Sequence, residues 1–310
     1  MAEKVTLASS NGWATAIVAW QLAFTACAIA LSVQDAWPLW LLGQVLLAVN
    51  LFQWFVLHHD FAHGGFFRTR WLNALLGHVS SVFCLMPFFS WRQMHHHHHI
   101  WSGWKDKDPS DPSSQFRQPT PTLTRVMNFC WRFWIPVFAA TFVAMNFWNL
   151  KRVNELFPDP RSRRRNLFSV LFLMIIYVPA LVLAPRFMLV HWVPALLLFL
   201  SFSDPVLLTQ HVHVDANYAA GAEVKAFRYS EQGRYARNVI YPRFVAKFLF
   251  YNSERHGLHH LHPTVPIYHL GELESPKDNN IDWLEWLRLA KAMPADVLIF
   301  QTSRETGIRL

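Results

Sequence analysis

Seventeen histidines stand in this chain, and all but His78, His191 and His269 gather in four short clusters. The first is His58-His59-Asp60-Phe61-Ala62-His63. His59 and His63 are four residues apart, so a helix running through them sets both on one face, one turn apart. The second is the run His95-His96-His97-His98-His99, behind Trp91-Arg92. Within it His95, His98 and His99 fall at i, i+3 and i+4, again one face. The third, His256-Gly257-Leu258-His259-His260, repeats that spacing, with His262 just beyond, and the fourth is the pair His211 and His213. A neutral imidazole is a good ligand for iron, copper and zinc. Three on one helical face grip one metal or divide between two. Pooled, the clusters offer about eight or nine such nitrogens, more than one tetrahedral zinc takes. That points to a two-metal site, with iron favoured because a redox metal activates oxygen. His58 competes with His59 for a place in the set, and His213 with His211. His78, His191 and His269 read as packed or surface residues without a metal role.

These clusters need elements to carry them, and the hydropathy pattern supplies membrane helices. Residues 13–32, 37–57, 167–184 and 187–208 are each long and apolar enough to span a bilayer. A helix the length of 37–57 measures about 30 Å, the thickness of the hydrocarbon core. Short connections at 33–36 and 185–186 join them into two hairpins. Arg186 is the only basic residue in either connection, whereas Lys4, Arg68, Arg70, Arg92, Lys105, Arg117 and the run Arg161 to Arg165 lie on the other side. By the positive-inside rule both termini, the large loops and every histidine cluster face the cytoplasm. Residues 72–90 and 126–150 begin and end beside cytoplasmic charge, so they are expected to lie at the interface or dip into it. The segment 109–121 reads as a loop. In the last forty residues Trp283, Leu284, Trp286 and Leu287 predict an amphipathic contact. The expected fold is one all-α integral membrane domain over residues 1–310, with four spans, interfacial helices and a cytoplasmic cap holding two metals.

Composition agrees with a lipid environment. Apolar residues make up 53% and charged residues 15%, against about 25% charged in an average soluble domain. The net charge of +8 is better explained by membrane topology than by nucleic acid, since the basic residues flank apolar runs and form no stripe. The first apolar run is too long for a signal-peptide core, so no cleaved leader is expected. Cys27, Cys84 and Cys130 sit in apolar surroundings without a CxxC pair and read as packing residues.

The histidine pattern resembles that of the membrane fatty acid desaturases. His59-Asp60-x-x-His63 is similar to their first histidine box. Trp91-Arg92-x-x-His95-x-x-His98-His99, followed by Asp108-Pro109, is similar to the second. Asn252-x-x-x-His256-x-x-His259-His260-x-x-Pro263-x-x-Pro266 is similar to the third. The resemblance covers roughly residues 37 to 270 and is specific as a set. It implies a di-iron centre, molecular oxygen as co-substrate, a lipid acyl substrate and an external electron donor. Carried over by position, the ligands are His59, His63, His95, His98, His99, His256, His259 and His260, with His211 as the extra ligand after the last span. Asn252 is expected to face the same metal, through water. His96 and His97 fill the variable positions of the second box. A ligating imidazole normally donates its other N–H to a carboxylate or carbonyl, which makes Asp60, Asp204, Asp215 and Glu254 expected supports.

Histidine boxes do not separate desaturation from hydroxylation, or from oxidative decarboxylation to a terminal alkene; desaturation leads as the family's commonest outcome. No Gly-rich dinucleotide fingerprint, Cys set or haem domain is seen, so a ferredoxin or a small cytochrome is the expected donor. A non-enzymatic metal transporter is disfavoured because its ligands usually lie near the membrane's middle. A zinc-dependent lipid hydrolase is disfavoured because the ligands exceed its need.

Overall fold

The computed structural model describes residues 7–114, 119–274 and 279–310. Lys4, Arg117 and part of the expected loop at 109–121 lie outside them. Among the described residues the chain is mostly helical and has four helices long and apolar enough to cross a membrane: α1 (Asn11–Ser32), α2 (Trp37–His63), α8 (Pro160–Leu183) and α9 (Pro185–His211). Between α2 and α8 come α3 (Arg70–Cys84), α4 (Phe88–Trp101), α5 (Pro121–Arg132), α6 (Val137–Val143) and α7 (Leu150–Leu156). Beyond α9 come α10 (Arg243–Phe248), α11 (His256–Leu261), α12 (Trp283–Ala292) and α13 (Ala295–Phe300), with shorter turns between them.

Two helix limits and two internal breaks differ from expectation for local reasons. Helix α2 does not stop at 57 but runs on to His63, because no breaker precedes Gly64, which ends it in the left-handed conformation (φ 74°). Helix α8 starts at Pro160 instead of 167: Asp159 accepts from Ser162 N at the N-cap, and Pro160 opens the first turn. Each stretch expected at the interface is two helices, α3 with α4 and α5 followed by α6, bent by 100° and 118°. The breaks fall at Leu85 and Trp134, both at positive φ, each two residues before a proline. The all-α expectation also misses one short parallel pair, β1 (Asn238–Ile240) with β2 (Asn280–Asp282).

The chain divides into two compact units. The first comprises the residues through Arg92, Val143–Phe202 and Thr264–Pro266. In it α1 and α2 are stitched by buried polar groups: Gln21 Nε2 donates to Asn50 O (3.0 Å), Thr25 Oγ1 to Asn50 Oδ1 (2.9 Å), and Trp54 Nε1 to Thr25 Oγ1 (2.9 Å). Such groups in an apolar setting must find partners within the protein. Gly43 lets the backbone of α2 approach that of Ser32, where a Cβ would collide. His58 Nδ1 meets Ser80 Oγ at 2.9 Å and ties α2 to α3. Trp91 packs edge-on against Phe55 and Phe147. Ile175, Val182 and Leu183 on α8 stay exposed, as a lipid-facing surface requires.

The second unit comprises Gln93–Phe142, Ser203–Pro263 and Ile267–Leu310. Its core gathers Met127 and Trp131 of α5, Leu208 of α9, Trp286 of α12, and Leu298 and Ile299 of α13. Trp286 is the inward anchor of the amphipathic contact, whereas Leu284 points outward. Arg237 is buried, and its guanidinium donates to the carbonyls of Thr209 (3.0 Å), Val212 (2.6 Å) and His213 (2.9 Å), closing the end of α9. Cys84 and Cys130 are buried in their respective units, whereas Cys27 is exposed on α1; all three are free thiols.

Candidate metal centre

Seven of the expected ligands lie inside the second unit. Helix α4 has no Gly or Pro between Phe88 and Trp101, so His95, His98 and His99 keep their one-face spacing. Helix α11 presents His256, His259 and His260, all buried. It is held against β1, where Asn238 Oδ1 accepts from Leu258 N (3.0 Å) and a Cβ on Gly257 would come within 3.1 Å of Ala236 O. The last residue of α9 adds His211.

These side chains fall into two sets. His98, His211, His256 and His260 offer ligand atoms that lie within 4.8 Å of one another. The Nε2 of His98 is 3.0 Å from that of His211 and 3.3 Å from that of His260, and His256 Nε2 is 2.9 Å from His211 Nε2. In the other set His99 Nε2 is 3.1 Å from both His95 Nε2 and His259 Nε2. In the first unit His59 and His63 stand one turn apart on α2, with ring centroids 5.1 Å apart.

The opposite ring edges decide what these nitrogens carry. His98 Nδ1 meets Asp108 Oδ2 at 2.6 Å, and His211 Nδ1 meets the carbonyl of Tyr235 at 2.9 Å. His260 Nδ1 meets Gln232 Oε1 at 3.2 Å, while the amide of Gln232 donates to His99 O at 2.7 Å. Each of these partners accepts, so each Nδ1 carries the proton, and in a neutral ring Nε2 is then a lone pair. Burial first, and then the neighbouring His99, His211, His256 and His98, hold the His260 imidazole well below its ordinary pKa, so it is neutral. For Asp108 burial alone would raise the carboxyl, but its contact with His98 and two bonds from Ser110 outweigh it and hold it below its usual value.

Lone pairs about 3 Å apart repel unless a cation lies between them. Around a metal 2.0–2.1 Å from each nitrogen, ligand atoms sit roughly 3.0 Å apart at right angles and roughly 3.4 Å apart at tetrahedral angles. The donor set therefore fits a first-row transition metal that takes imidazole, and the supports from Asp108, Tyr235 and Gln232 have the form that fixes a metal-binding tautomer.

The remaining expected residues sit elsewhere. His58 is bonded to Ser80, and His213 Nε2 to Thr306 Oγ1 (2.7 Å); neither joins a metal-competent group. His96, His97 and His262 are also outside the groups. Asp60 is buried within α2. Asp204 does not reach a histidine: it accepts from the backbone N–H of Phe138 (3.4 Å) and Ala139 (2.5 Å) and so caps the start of α6. Asn252 precedes α11 in the left-handed conformation (φ 64°), against Gly271, so it does not continue that helix toward the metal groups. Asp215 pairs with Arg304 at 2.7 Å, and Glu254 lies 3.8 Å from Arg255. Sequence reasoning missed Gln232 and the Tyr235 carbonyl, which carry no motif. Asp108 had a signal, its place in Asp108-Pro109 behind the second box, but was not read as a support.

Known proteins similar to this chain point to its family. The fatty acid desaturase family model matches residues 35–279. A sn-1 oleoyl-lipid 12-desaturase of Synechocystis sp. is 27% identical over 227 residues, 70% of this chain and 62% of the relative. An endoplasmic reticulum omega-3 fatty acid desaturase of Vigna radiata is 27% identical over 261 residues, 81% of this chain and 67% of the relative. The acyl-lipid omega-3 desaturase (cytochrome b5) of Arabidopsis thaliana is 27% identical over 269 residues, 80% of this chain and 66% of the relative. The chain thus spans about two thirds of the length of these relatives. With the family model covering most of its length, this chain belongs to the fatty acid desaturase family.

Proposed function

We propose that the chain is an integral membrane desaturase that removes two hydrogens from a lipid acyl chain at a di-iron centre. The observation that carries this reading is the buried set of facing imidazole lone pairs in the second unit. His98, His211, His256 and His260 would hold one iron. His95, His99 and His259 would hold the other, and His59 and His63 stay ligands by the likeness of their motif to the first histidine box. Bound there, the irons supply the oxidising chemistry that an unactivated C–H bond requires. In the net reaction –CH2–CH2– becomes –CH=CH–; its two hydrogens, two electrons and two protons reduce dioxygen to two waters. The electrons come from a ferredoxin or a small cytochrome, the latter being the kind named for the Arabidopsis relative. The basic face of the chain steers such an acidic donor.

The protein's own share is positioning. Asp108, Tyr235 and Gln232 orient three rings, and burial of the ligands keeps bulk water from the site. The apolar helices hold the acyl chain. In the membrane α1 with α2 and α8 with α9 form two hairpins, with the metal centre and both ends of the chain on the cytoplasmic side, where the basic residues concentrate. The whole works as a single membrane-embedded domain. The test is iron-loaded protein, reduced anaerobically and then given oxygen and a panel of acyl lipids, with products read by mass spectrometry. Two irons per chain and products two mass units lighter are expected. Added oxygen would make it a hydroxylase, lost carbon dioxide a decarboxylase, and one zinc without oxidation would end the proposal.

A further inference from the structure

The first unit contains a cavity of about 770 Å³, within the roughly 300–1,000 Å³ that small-molecule sites occupy. Three guanidinium side chains line it, those of Arg68, Arg70 and Arg92, with His63, Asn73 and Thr264 among the other walls. Among the described residues no carboxylate pairs with any of the three arginines. Burial and a fourth cation, Arg165, both lower the pKa of Arg92, so like charge is concentrated there. Cations gathered round a cavity without a counter-charge repel one another, and an anion bound between them relieves that repulsion.

The cavity is built to keep its shape. Asn73 accepts from Phe67 N (2.8 Å) and donates to the carbonyls of Phe67 (2.9 Å) and Gly64 (3.2 Å), which pins the loop bearing Arg68. Gly64 turns the chain at positive φ, and Gly65 lets the loop approach Thr264 O, where a Cβ would stand 2.7 Å away. The loop begins at the end of α2, one of the apolar helices, and the largely exposed Trp71 follows Arg70, as at a membrane–water boundary. A half-open cavity beside the end of an apolar helix suits the end of a lipid better than the flat face of a protein.

We propose that this arginine-lined cavity receives the anionic head, phosphate or carboxylate, of the acyl substrate. The idea rests on the desaturase reading, because His63 is both a wall of the cavity and one of the ligands assigned there. It goes further by naming a charge-selective class of substrate and three residues that recognise it.

Binding is measured on the full chain in phosphatidylcholine nanodiscs, so that it does not depend on turnover. The probes are oleate against methyl oleate, dioleoyl phosphatidic acid against dioleoylglycerol, and inorganic phosphate as competitor. Each anionic lipid is expected to bind at least tenfold tighter than its neutral counterpart. Arg68→Gln/Arg70→Gln/Arg92→Gln is expected to bring that ratio near one, with the melting temperature and metal content unchanged. If the triple variant loses its fold, the exposed single change Arg68→Gln is expected to cut the ratio severalfold by itself. Equal binding of charged and neutral lipids by the wild type, or a ratio untouched by these changes, overturns the proposal. Saturable inorganic phosphate that neither anionic lipid displaces also overturns it, by assigning the cavity to a soluble anion. So does slower reduction by an acidic ferredoxin with lipid binding intact, which would make the arginines a donor dock. If the charge preference holds but no loaded protein oxidises any lipid, the desaturase reading fails and the anion cavity stands.

Discussion

Asp108 tests whether the facing lone pairs are a metal site. Its carboxylate takes the Nδ1–H of His98 at 2.6 Å in a buried setting, and two bonds from Ser110 hold it in place. Asp108→Asn keeps the size and an oxygen able to accept from His98, but removes the charge. A hydrogen bond to a charged group contributes about 1.5–3 kcal/mol, a neutral one about 1 kcal/mol. The difference, on the order of 1–2 kcal/mol, corresponds to roughly a five- to thirtyfold weaker metal affinity. That lies within the roughly 10–100-fold usual for residues that orient a metal-binding histidine. Asp108→Ala removes the acceptor as well and should reach the upper end. The assay is an anaerobic iron titration against a competing chelator, with total iron counted by mass spectrometry and the fold checked by circular dichroism. Asp108 supports only His98, so one iron per chain should weaken while the other keeps its affinity. An unchanged titration in a folded Asp108→Ala protein would refute the reasoning, because His98 would then not be a ligand oriented by this acid.

Three further outcomes follow from the same geometry. His96→Ala and His97→Ala should keep iron content and turnover, whereas His98→Ala should lose at least one iron and all product, as read by metal analysis and mass spectrometry. Gly43→Ala forces a methyl against the backbone of Ser32 and should destabilise the α1–α2 contact by about 1–3 kcal/mol, seen as a lower melting temperature in detergent. Lys105 is buried, its ammonium 3.3 Å from Asp111 and 3.1 Å from Ile299 O. Lys105→Met leaves that acid uncompensated and should cost about 3–5 kcal/mol in thermal or denaturant unfolding.

Where periodicity carries information, the structure was legible in advance. The i, i+3, i+4 spacing set His95, His98 and His99 on one face, the resemblance of Trp91-Arg92 to the second box fixed the frame, and those three, not His96 or His97, enter the metal-competent groups. Hydropathy located four long helices, but not that α2 continues through His63, since a length rule stops where apolarity stops and a helix stops at its cap. Spacing could not choose between His58 and His59: the choice depends on Ser80, which takes His58 from another helix. The same holds for His213 and its partner Thr306. Asp204 is among the carboxylates expected to support a histidine, yet its oxygens serve the backbone of α6. Asn252 is expected to face the metal, whereas the chain turns there at positive φ. The Tyr235 carbonyl was invisible because every residue has one.

The two apolar helices that end in histidine are stopped by different means. Helix α2 carries its own stop in the next residue, Gly64, so that end is defined by local sequence. The end of α9 waits for Arg237, more than twenty residues downstream, to reach back to the carbonyls beside His211. During synthesis, therefore, the first histidine pair is shaped as soon as its helix is made. His211 acquires its bearings only after the chain has doubled back, so its end of α9 is set by a contact distant in sequence.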